Sequence, residues 1–168
     1  MNDRSGEELL DLVNERDEVT GSARRSEVHG NPALIHRVAH VMVLNDDGGI
    51  FLQKRSSAKE VEPGKWDTSV GGHVDRGETY HAAARREMAE ELGITGAELR
   101  FQHKYLHRNS YESEYVATFT VVWSGKMRLN REEIDEGRFW SAAEIEAERS
   151  SGLFTPNFLD EFDRRRAG

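Results

Sequence analysis

The chain has 168 residues, of which 36% are hydrophobic and 32% are charged, and its formal net charge is −8. This length suits one globular domain with a sizeable core, and the composition is not polar enough to predict disorder. The negative charge disfavours long DNA or RNA as a partner, although it leaves room for a small phosphorylated substrate. No apolar run approaches the ~20 residues that span a bilayer.

The chain contains no cysteine, which excludes a disulfide framework and any thiol chemistry. Seven acidic side chains among the first twenty residues argue against a secretory signal and against an Arg-rich transit peptide. We therefore expect a cytoplasmic protein with no membrane association, and the sequence leaves its oligomeric state open.

An N-terminal extension is predicted for residues 1–30, packed on a domain formed by residues 31–168. The run Glu8–Val13 fits either a helix start or a strand. We favour a short β-hairpin with Val19–Ala23, because a polar turn separates the two runs. Ser26–Asn31 is expected to form a helical turn that stops before the next proline.

The most secure hairpin is predicted around an Asn-Asp-Asp-Gly-Gly turn. The Val-rich run His36–Leu44 indicates a buried strand, and Ile50–Lys54 indicates the strand that returns from the turn. Further on, Trp66–Val70 is predicted as one short strand. Thr79–Leu92 contains neither Gly nor Pro and is predicted as a helix that ends at Gly93.

The rest of the chain mixes strands and helices. Leu99–Leu106 and Tyr115–Trp123 alternate as strands do, and Arg138–Trp140 is a shorter strand candidate. Ser141 is positioned to cap one helix, and Pro156 to begin the last one. This order predicts an α/β fold in which a sheet lies between helices.

Three glutamates of the predicted helix carry the most informative pattern. Glu87, Glu90 and Glu91 stand at i, i+3 and i+4, so their carboxylates share one helix face. Such like charges repel, so we expect a positive partner, and hard oxygen ligands suit Mg²⁺. A lone Glu-x-x-Glu-Glu is, however, more often a solvated face than a metal site.

The residues around this face form a longer and more specific pattern. Glycines before the helix allow the backbone to approach a metal or a phosphate closely. Glu78 and Arg86 are expected to pair and to hold the loop on the helix. Seven identities at fixed spacing would arise by chance with a probability on the order of 10⁻⁸ per start position. They are Gly72, Glu78, Arg86, Glu87, Glu90, Glu91 and Gly93, accompanied by apolar Met88 and Ile94.

This string resembles in full the signature of the Nudix family, G-x5-E-x7-R-E-U-x-E-E-x-G-U, where U is apolar. The resemblance implies an α/β/α sandwich with a mixed central sheet. It also implies hydrolysis of a diphosphate linkage in a nucleoside di- or triphosphate or a derivative. Mg²⁺, or Mn²⁺ in its place, would bind Glu87, Glu90 and Glu91, while Gly72 shapes the metal site and Glu78, Arg86 and Gly93 are structural.

The reaction also needs a carboxylate that takes a proton from the attacking water. One of the three helix glutamates is a candidate. So are two glutamates from a predicted loop, Glu133 and Glu136, and the sequence does not choose among them.

A second resemblance, to isopentenyl diphosphate isomerase, covers His36-Arg37, Gln53–Ser56, Pro63–Trp66, Ser69–His73 and Glu112–Glu114. In the isomerase, the residues that match His36, His73, Glu112 and Glu114 ligate a different kind of metal site. The isomerase's catalytic cysteine is replaced here by Gly71, and the isomerase lacks the full hydrolase signature. We therefore predict an isomerase-like scaffold with hydrolase chemistry, and assign the other histidines, including His29, structural or surface roles.

The comparison with the isomerase also suggests which basic residues contact the diphosphate of a small-molecule substrate. The alternative is that these residues are solvated charges at strand edges. They are Arg37, Lys54, Arg55, Lys59 and Lys65. Two other functions stay open beside the hydrolase: a prenyl diphosphate isomerase and a non-catalytic nucleotide-binding module.

Overall fold

Nine strands and four helices follow one another along residues 8–167, the part of the chain that this computed structural model describes. The strands are β1 (Leu9–Val13), β2 (Val19–Arg24), β3 (Ile35–Leu44), β4 (Ile50–Arg55), β5 (Trp66–Asp67), β6 (Val70–His73), β7 (Arg100–Arg108), β8 (Ser113–Val122) and β9 (Ile134–Trp140). The helices are α1 (Arg25–Val28), α2 (Tyr80–Leu92), α3 (Ala142–Ala147) and α4 (Pro156–Ala167).

Strand β3 is the centre of the mixed sheet. Along one edge it pairs in parallel with β8, from Ile35 opposite Ser113 to Leu44 opposite Val122. Its other edge is shared in turn by β1, β6 and β4, all antiparallel. The Val-rich sequence of β3 suits this position, because both faces of a central strand are covered.

The hairpin predicted around Asn45–Gly49 forms only next to its turn. β3 and β4 pair through Leu44 and Ile50 and then separate, and β4 continues along β9 and β5. Ser69 lies where the two strands diverge. Its hydroxyl accepts a hydrogen bond from the Val43 amide at 2.8 Å and donates to the Phe51 carbonyl, so it replaces the missing ladder bonds.

The single strand predicted over Trp66–Val70 is wrong. Two short strands, β5 and β6, are observed instead, with Thr68 and Ser69 between them. The chain changes partner at this point, because β5 pairs with β4 whereas β6 pairs with β3.

Helices cover both faces of the sheet, which confirms the predicted α/β/α class. On one face, alternate residues of β3 such as Val41 pack with Ala84, Met88 and Leu92 of α2. On the other face, Met42 of β3 packs in a cluster with α3 and α4 that includes Ile145, Phe158 and Phe162. The alternation follows from the two-residue period of strand side chains.

The predicted N-terminal hairpin is present as β1 and β2. β1 also joins the central sheet, where Leu12 lies opposite His36 of β3. The helical turn is α1, which begins one residue earlier than predicted and ends three residues earlier, at Val28. The division between residues 30 and 31 stays a prediction, and residues 1–7 of the extension lie outside the described residues. Within the described range, no helix is both long and apolar enough to cross a membrane.

Candidate active site

Helix α2 places the three glutamates as predicted from their spacing. The helix begins after Thr79, whose hydroxyl accepts a hydrogen bond from the Ala82 amide, and it ends at Gly93 in the left-handed conformation. The Glu91 residue is 4% exposed, and the Glu87 side chain is 15% exposed. The Glu90 side chain is 47% exposed, so the shared face runs from the protein interior to solvent.

Arg86 fixes the loop before the helix, as predicted. Its guanidinium donates to both carboxylate oxygens of Glu78, at 3.0 and 2.9 Å. It also donates to the His73 carbonyl at 3.0 Å and to Glu87 at 2.5 Å. The Arg86 guanidinium therefore joins strand β6, the loop that follows it and the Glu87 side chain.

Glu91 is the most deeply buried of the three carboxylates. Its Oε1 accepts a hydrogen bond from the Gln53 side chain at 3.0 Å, whereas Oε2 is buried and has no hydrogen-bond partner among the described residues. Burial and the negative charge of Glu87 raise the pKa of Glu91 well above its ordinary value, and burial raises the pKa of Glu87 to about 7. An orphaned carboxylate oxygen beside a second carboxylate fits a hard divalent cation.

The loop after β8 brings another glutamate to this helix. The amides of Arg128 and Asn130 donate to the last carbonyls of α2, those of Leu92 and Glu91, at 2.8 and 2.9 Å. Glu133 follows in the same loop, and its charge adds to the raised pKa values of Glu87 and Glu91. Of the two loop glutamates considered from the sequence, Glu133 is the one whose negative charge acts on these two helix carboxylates.

Glu136, the other loop candidate, lies in β9 rather than in a loop. It is opposite Lys54 of β4, its carboxylate is 3.9 Å from the Lys54 ammonium, and its side chain is 63% exposed. The predicted short strand Arg138–Trp140 is extended at its start to Ile134, which explains why Glu136 falls in regular structure.

Each basic residue predicted to bind substrate faces a carboxylate in this structure. The closest partners are Asp17 for Arg37 at 2.8 Å, Glu136 for Lys54 at 3.9 Å, Asp67 for Arg55 at 3.4 Å, Glu133 for Lys59 at 3.6 Å and Glu62 for Lys65 at 2.6 Å. Asp17 is the most buried of these partners, with a side chain 6% exposed. Phosphate binding by Arg37 would therefore require this ion pair to open, and all five roles stay predictions.

A second cluster of ligand-type side chains lies near the end of β6. The ring nitrogens of His29, His36 and His73 come within 4.8 Å of one another, and those of His36 also meet Glu112 and Glu114 within this distance. His36 is fully buried, and neither of its ring nitrogens makes a hydrogen bond within the described residues. The four residues expected from the isomerase resemblance are thus brought together.

His29 was missed by the sequence analysis. It lies at the end of α1 and has no periodic relation to the other members. Its ring nitrogen Nε2 is 3.2 Å from Nε2 of His73 and 3.8 Å from a Glu112 oxygen. Only the folding of the extension onto the sheet brings it there.

The position of the isomerase thiol is occupied by Gly71. A Cβ at this residue would lie 3.1 Å from the His40 ring, so a larger side chain would meet that ring. The His40 ring is itself held by Glu161 of α4 at 2.7 Å. Residue 71 therefore offers no thiol, and the space beside it is filled by a buried ion pair.

Comparison with known proteins places this arrangement in one family. The NUDIX domain description matches residues 34–162. The chain is 37% identical over 156 residues to a Listeria monocytogenes protein named as an uncharacterised Nudix hydrolase, with 90% of each chain covered. It is 30% identical over 164 residues to the isopentenyl-diphosphate Delta-isomerase of Streptomyces avermitilis, covering 94% of this chain and 83% of the isomerase.

A solved structure has the same fold. The crystal structure of a Deinococcus radiodurans protein superposes with a TM-score of 0.81 at 30% identity, covering 94% of this chain and 98% of that one. Both predicted resemblances are confirmed, and the isomerase-like branch is represented here without the isomerase cysteine. The chain belongs to the Nudix family, and it is a hydrolase that acts on phosphorus-containing anhydrides.

Proposed function

We propose that this hydrolase depends on Mg²⁺, for which Mn²⁺ can substitute, and cleaves the diphosphate linkage of a nucleoside di- or triphosphate or a derivative. The observation that carries the proposal is the buried Glu91 Oε2, which has no hydrogen-bond partner among residues 8–167 and lies on the same helix face as Glu87. We assign Glu87, Glu90 and Glu91 as the metal ligands. A bound Mg²⁺ would neutralise phosphate charge and make a water molecule more acidic.

The side chains around the ligands have positioning roles in this proposal. Gln53 orients Glu91 through the hydrogen bond to Oε1. Arg86 holds Glu87 and fixes the preceding loop through Glu78. These two contacts hold the carboxylates in place, so we expect them to need little rearrangement when a substrate binds.

We assign Glu133 as the general base. Its loop is anchored to the end of α2 by the Asn130 amide, and its charge acts on two of the proposed ligands. Lys59 lies 3.6 Å from the Glu133 carboxylate. When a substrate phosphate attracts Lys59, Glu133 becomes available to accept a proton.

A second cation is proposed for the histidine cluster. The buried His36 ring, with both nitrogens lacking hydrogen bonds in the described chain, carries this assignment. Imidazole together with carboxylate suits Mn²⁺, Co²⁺ or Zn²⁺ better than it suits Mg²⁺. The ligands would be His29, His36, His73, Glu112 and Glu114.

The first test is product release from a substrate panel, with and without Mg²⁺ or Mn²⁺. The panel contains nucleoside diphosphates, nucleoside triphosphates, nucleotide sugars, dinucleotide cofactors and isopentenyl diphosphate. Metal-dependent hydrolysis of a nucleotide supports the proposal. Isomerisation of isopentenyl diphosphate, or nucleotide binding without cleavage, would support the isomerase or the non-catalytic module instead.

A matched pair of variants tests the metal ligands. Glu91→Gln should abolish metal-dependent hydrolysis, whereas Glu98→Gln, at an exposed position beyond the helix, should leave it unchanged. Full activity of a folded Glu91→Gln protein would show that the metal assignment is wrong.

We further propose that the protein is located in the reducing cytoplasm, because its sequence contains no cysteine.

A further inference from the structure

Glu8, the first described residue of the extension, contacts the histidine cluster from outside. Its Oε2 lies 3.2 Å from Nδ1 of His73, and the Glu8 side chain is 9% exposed. The other ring nitrogen of His73, Nε2, lies 3.2 Å from Nε2 of His29. The His73 ring is therefore placed between a carboxylate on one side and the cluster on the other.

This arrangement selects one tautomer of His73. A neutral imidazole carries a single N–H, and a carboxylate can only accept a hydrogen bond. The contact with Glu8 therefore places the proton of His73 on Nδ1 and leaves a lone pair on Nε2, which faces the cluster. Histidines that bind metals commonly donate their second ring N–H to a carboxylate in this way, which fixes the ring and its tautomer.

We propose that Glu8 is a positioning residue for the histidine centre, which holds His73 as the Nδ1–H tautomer so that Nε2 can bind a cation. The inference rests on the second metal site proposed above. It goes beyond that site because it makes the cation affinity of the domain depend on a carboxylate of the N-terminal extension.

The path of the extension explains this dependence. Glu8 precedes β1 and His29 follows α1, so the two ends of one folded segment reach the same cluster. The Arg25 amide donates to the Glu8 carbonyl at 2.9 Å, which joins these ends, and the Arg76 amide donates to Leu9 at 3.0 Å. A bound cation would link the extension to the sheet directly through His29 and indirectly through Glu8 and His73.

Co²⁺ affinity, followed by the visible absorption of the ion, tests the proposal on the full chain. A His36→Ala protein identifies which part of the absorption arises at the histidines. Glu8→Ala should lower the affinity of that site about 10- to 100-fold. Glu8→Gln should lose less affinity, because its amide oxygen still accepts a hydrogen bond from Nδ1. Glu15→Gln, on the same extension with a side chain 76% exposed, should match the wild type.

Long-range ¹H–¹⁵N spectra of the imidazoles give a second readout without any metal. In the wild type, His73 should be protonated on Nδ1, and Glu8→Ala should shift it toward the Nε2–H tautomer. A wild-type His73 protonated on Nε2, or equal Co²⁺ affinity in Glu8→Ala, would overturn the role of Glu8. If the wild type bound no Co²⁺ at the histidines, the second site and this role would both fall. The Mg²⁺-dependent hydrolysis proposed for α2 is tested separately by Glu91→Gln, so failure of the histidine proposal can be distinguished from failure of the hydrolase proposal.

Discussion

The Glu87 carboxylate lies directly against the Cα of Gly72. A Cβ built on Gly72 would fall 2.6 Å from Glu87 Oε1 and would also overlap the rest of the carboxylate. The presence of glycine at position 72, opposite the helix glutamates, thus has a steric cause in this structure. The glycine is needed because the acidic side chain occupies the space of its missing side chain, and its backbone conformation is ordinary.

Gly72→Ala should therefore displace Glu87 and lower metal-dependent hydrolysis at least about 10-fold, since small displacements of catalytic groups are costly. The measurement is kcat/KM at saturating Mg²⁺ together with Mn²⁺ affinity. Gly21→Ala is the control, because a Cβ at Gly21 meets no atom within 4 Å. Wild-type activity of Gly72→Ala would contradict this steric account.

Glu91→Gln should change activity and stability in opposite directions. The substitution removes a buried carboxyl group whose pKa is raised well above its ordinary value, and it keeps an oxygen that can accept from Gln53. Without metal, the free energy of unfolding at neutral pH should rise by about 1 kcal/mol, because a carboxyl group whose pKa is raised on folding lowers the stability of the folded state. Denaturant titration of the metal-free proteins checks this, and a clear loss of stability would be the contrary result.

Glu133→Gln should reduce kcat about 100- to 1000-fold if this residue removes the proton from water. Glu136→Gln should change kcat less than about threefold, because the Glu136 side chain is exposed and lies opposite Lys54. The two variants remove the same charge from neighbouring positions, so each serves as the control for the other. The reverse order of effects would assign the base to Glu136.

The buried pair of His40 and Glu161 predicts a pH dependence of stability. Burial alone would lower the pKa of His40, but Glu161 raises it to about 9 from an ordinary 6.5. The His40 contribution is therefore complete below pH 6.5 and is lost as the pH rises through about 9. It amounts to roughly 3 kcal/mol at most.

Glu161 sets the lower pH limit of the stability that this pair contributes. Burial alone would raise its pKa, but His40 holds it below its ordinary value of 4.5, so its contribution is present above pH 4.5 and is lost at lower pH. In urea titrations, the contribution of this pair to stability should be highest from about pH 4.5 to 6.5 and should decline toward pH 9. Glu161→Gln should flatten this decline, whereas Glu132→Gln at an exposed position should not.

Asp17→Asn should destabilise the docking of the extension. The Asp17 carboxylate accepts hydrogen bonds from Arg37, Tyr80 and Lys104, at 2.8 to 2.9 Å. Removing its charge leaves a half-buried guanidinium without a counter-ion, which should cost about 2 to 3 kcal/mol of unfolding free energy. Glu18→Gln, with a side chain 58% exposed, should cost less than about 0.5 kcal/mol.

Local patterns along the chain were sufficient for much of the fold. Thr79 and Gly93 delimit α2 through their own side-chain and backbone preferences, so the helix and its glutamate face could be predicted from spacing. The pairing of Arg86 with Glu78 could be predicted for the same reason, since both lie within one short segment.

Strand pairing was less accessible, because it depends on partners that are distant in sequence. Ser69 bonds to both β3 and β4 where these strands separate. The sequence of the Asn45–Gly49 turn does not predict this separation. The proposed assignment of Glu133 rather than Glu136 as the base rests on a loop that the Asn130 amide joins to the end of α2.

The histidine cluster shows most clearly which features the sequence predicts and which depend on the tertiary structure. A family resemblance pointed to His36 and His73, but His29 and Glu8 belong to an extension whose docking is a tertiary event. Side-chain chemistry and helical spacing act over a few residues and can be seen in a sequence. The meeting of Glu8 with His73 across 65 positions is decided only when β1 joins the sheet.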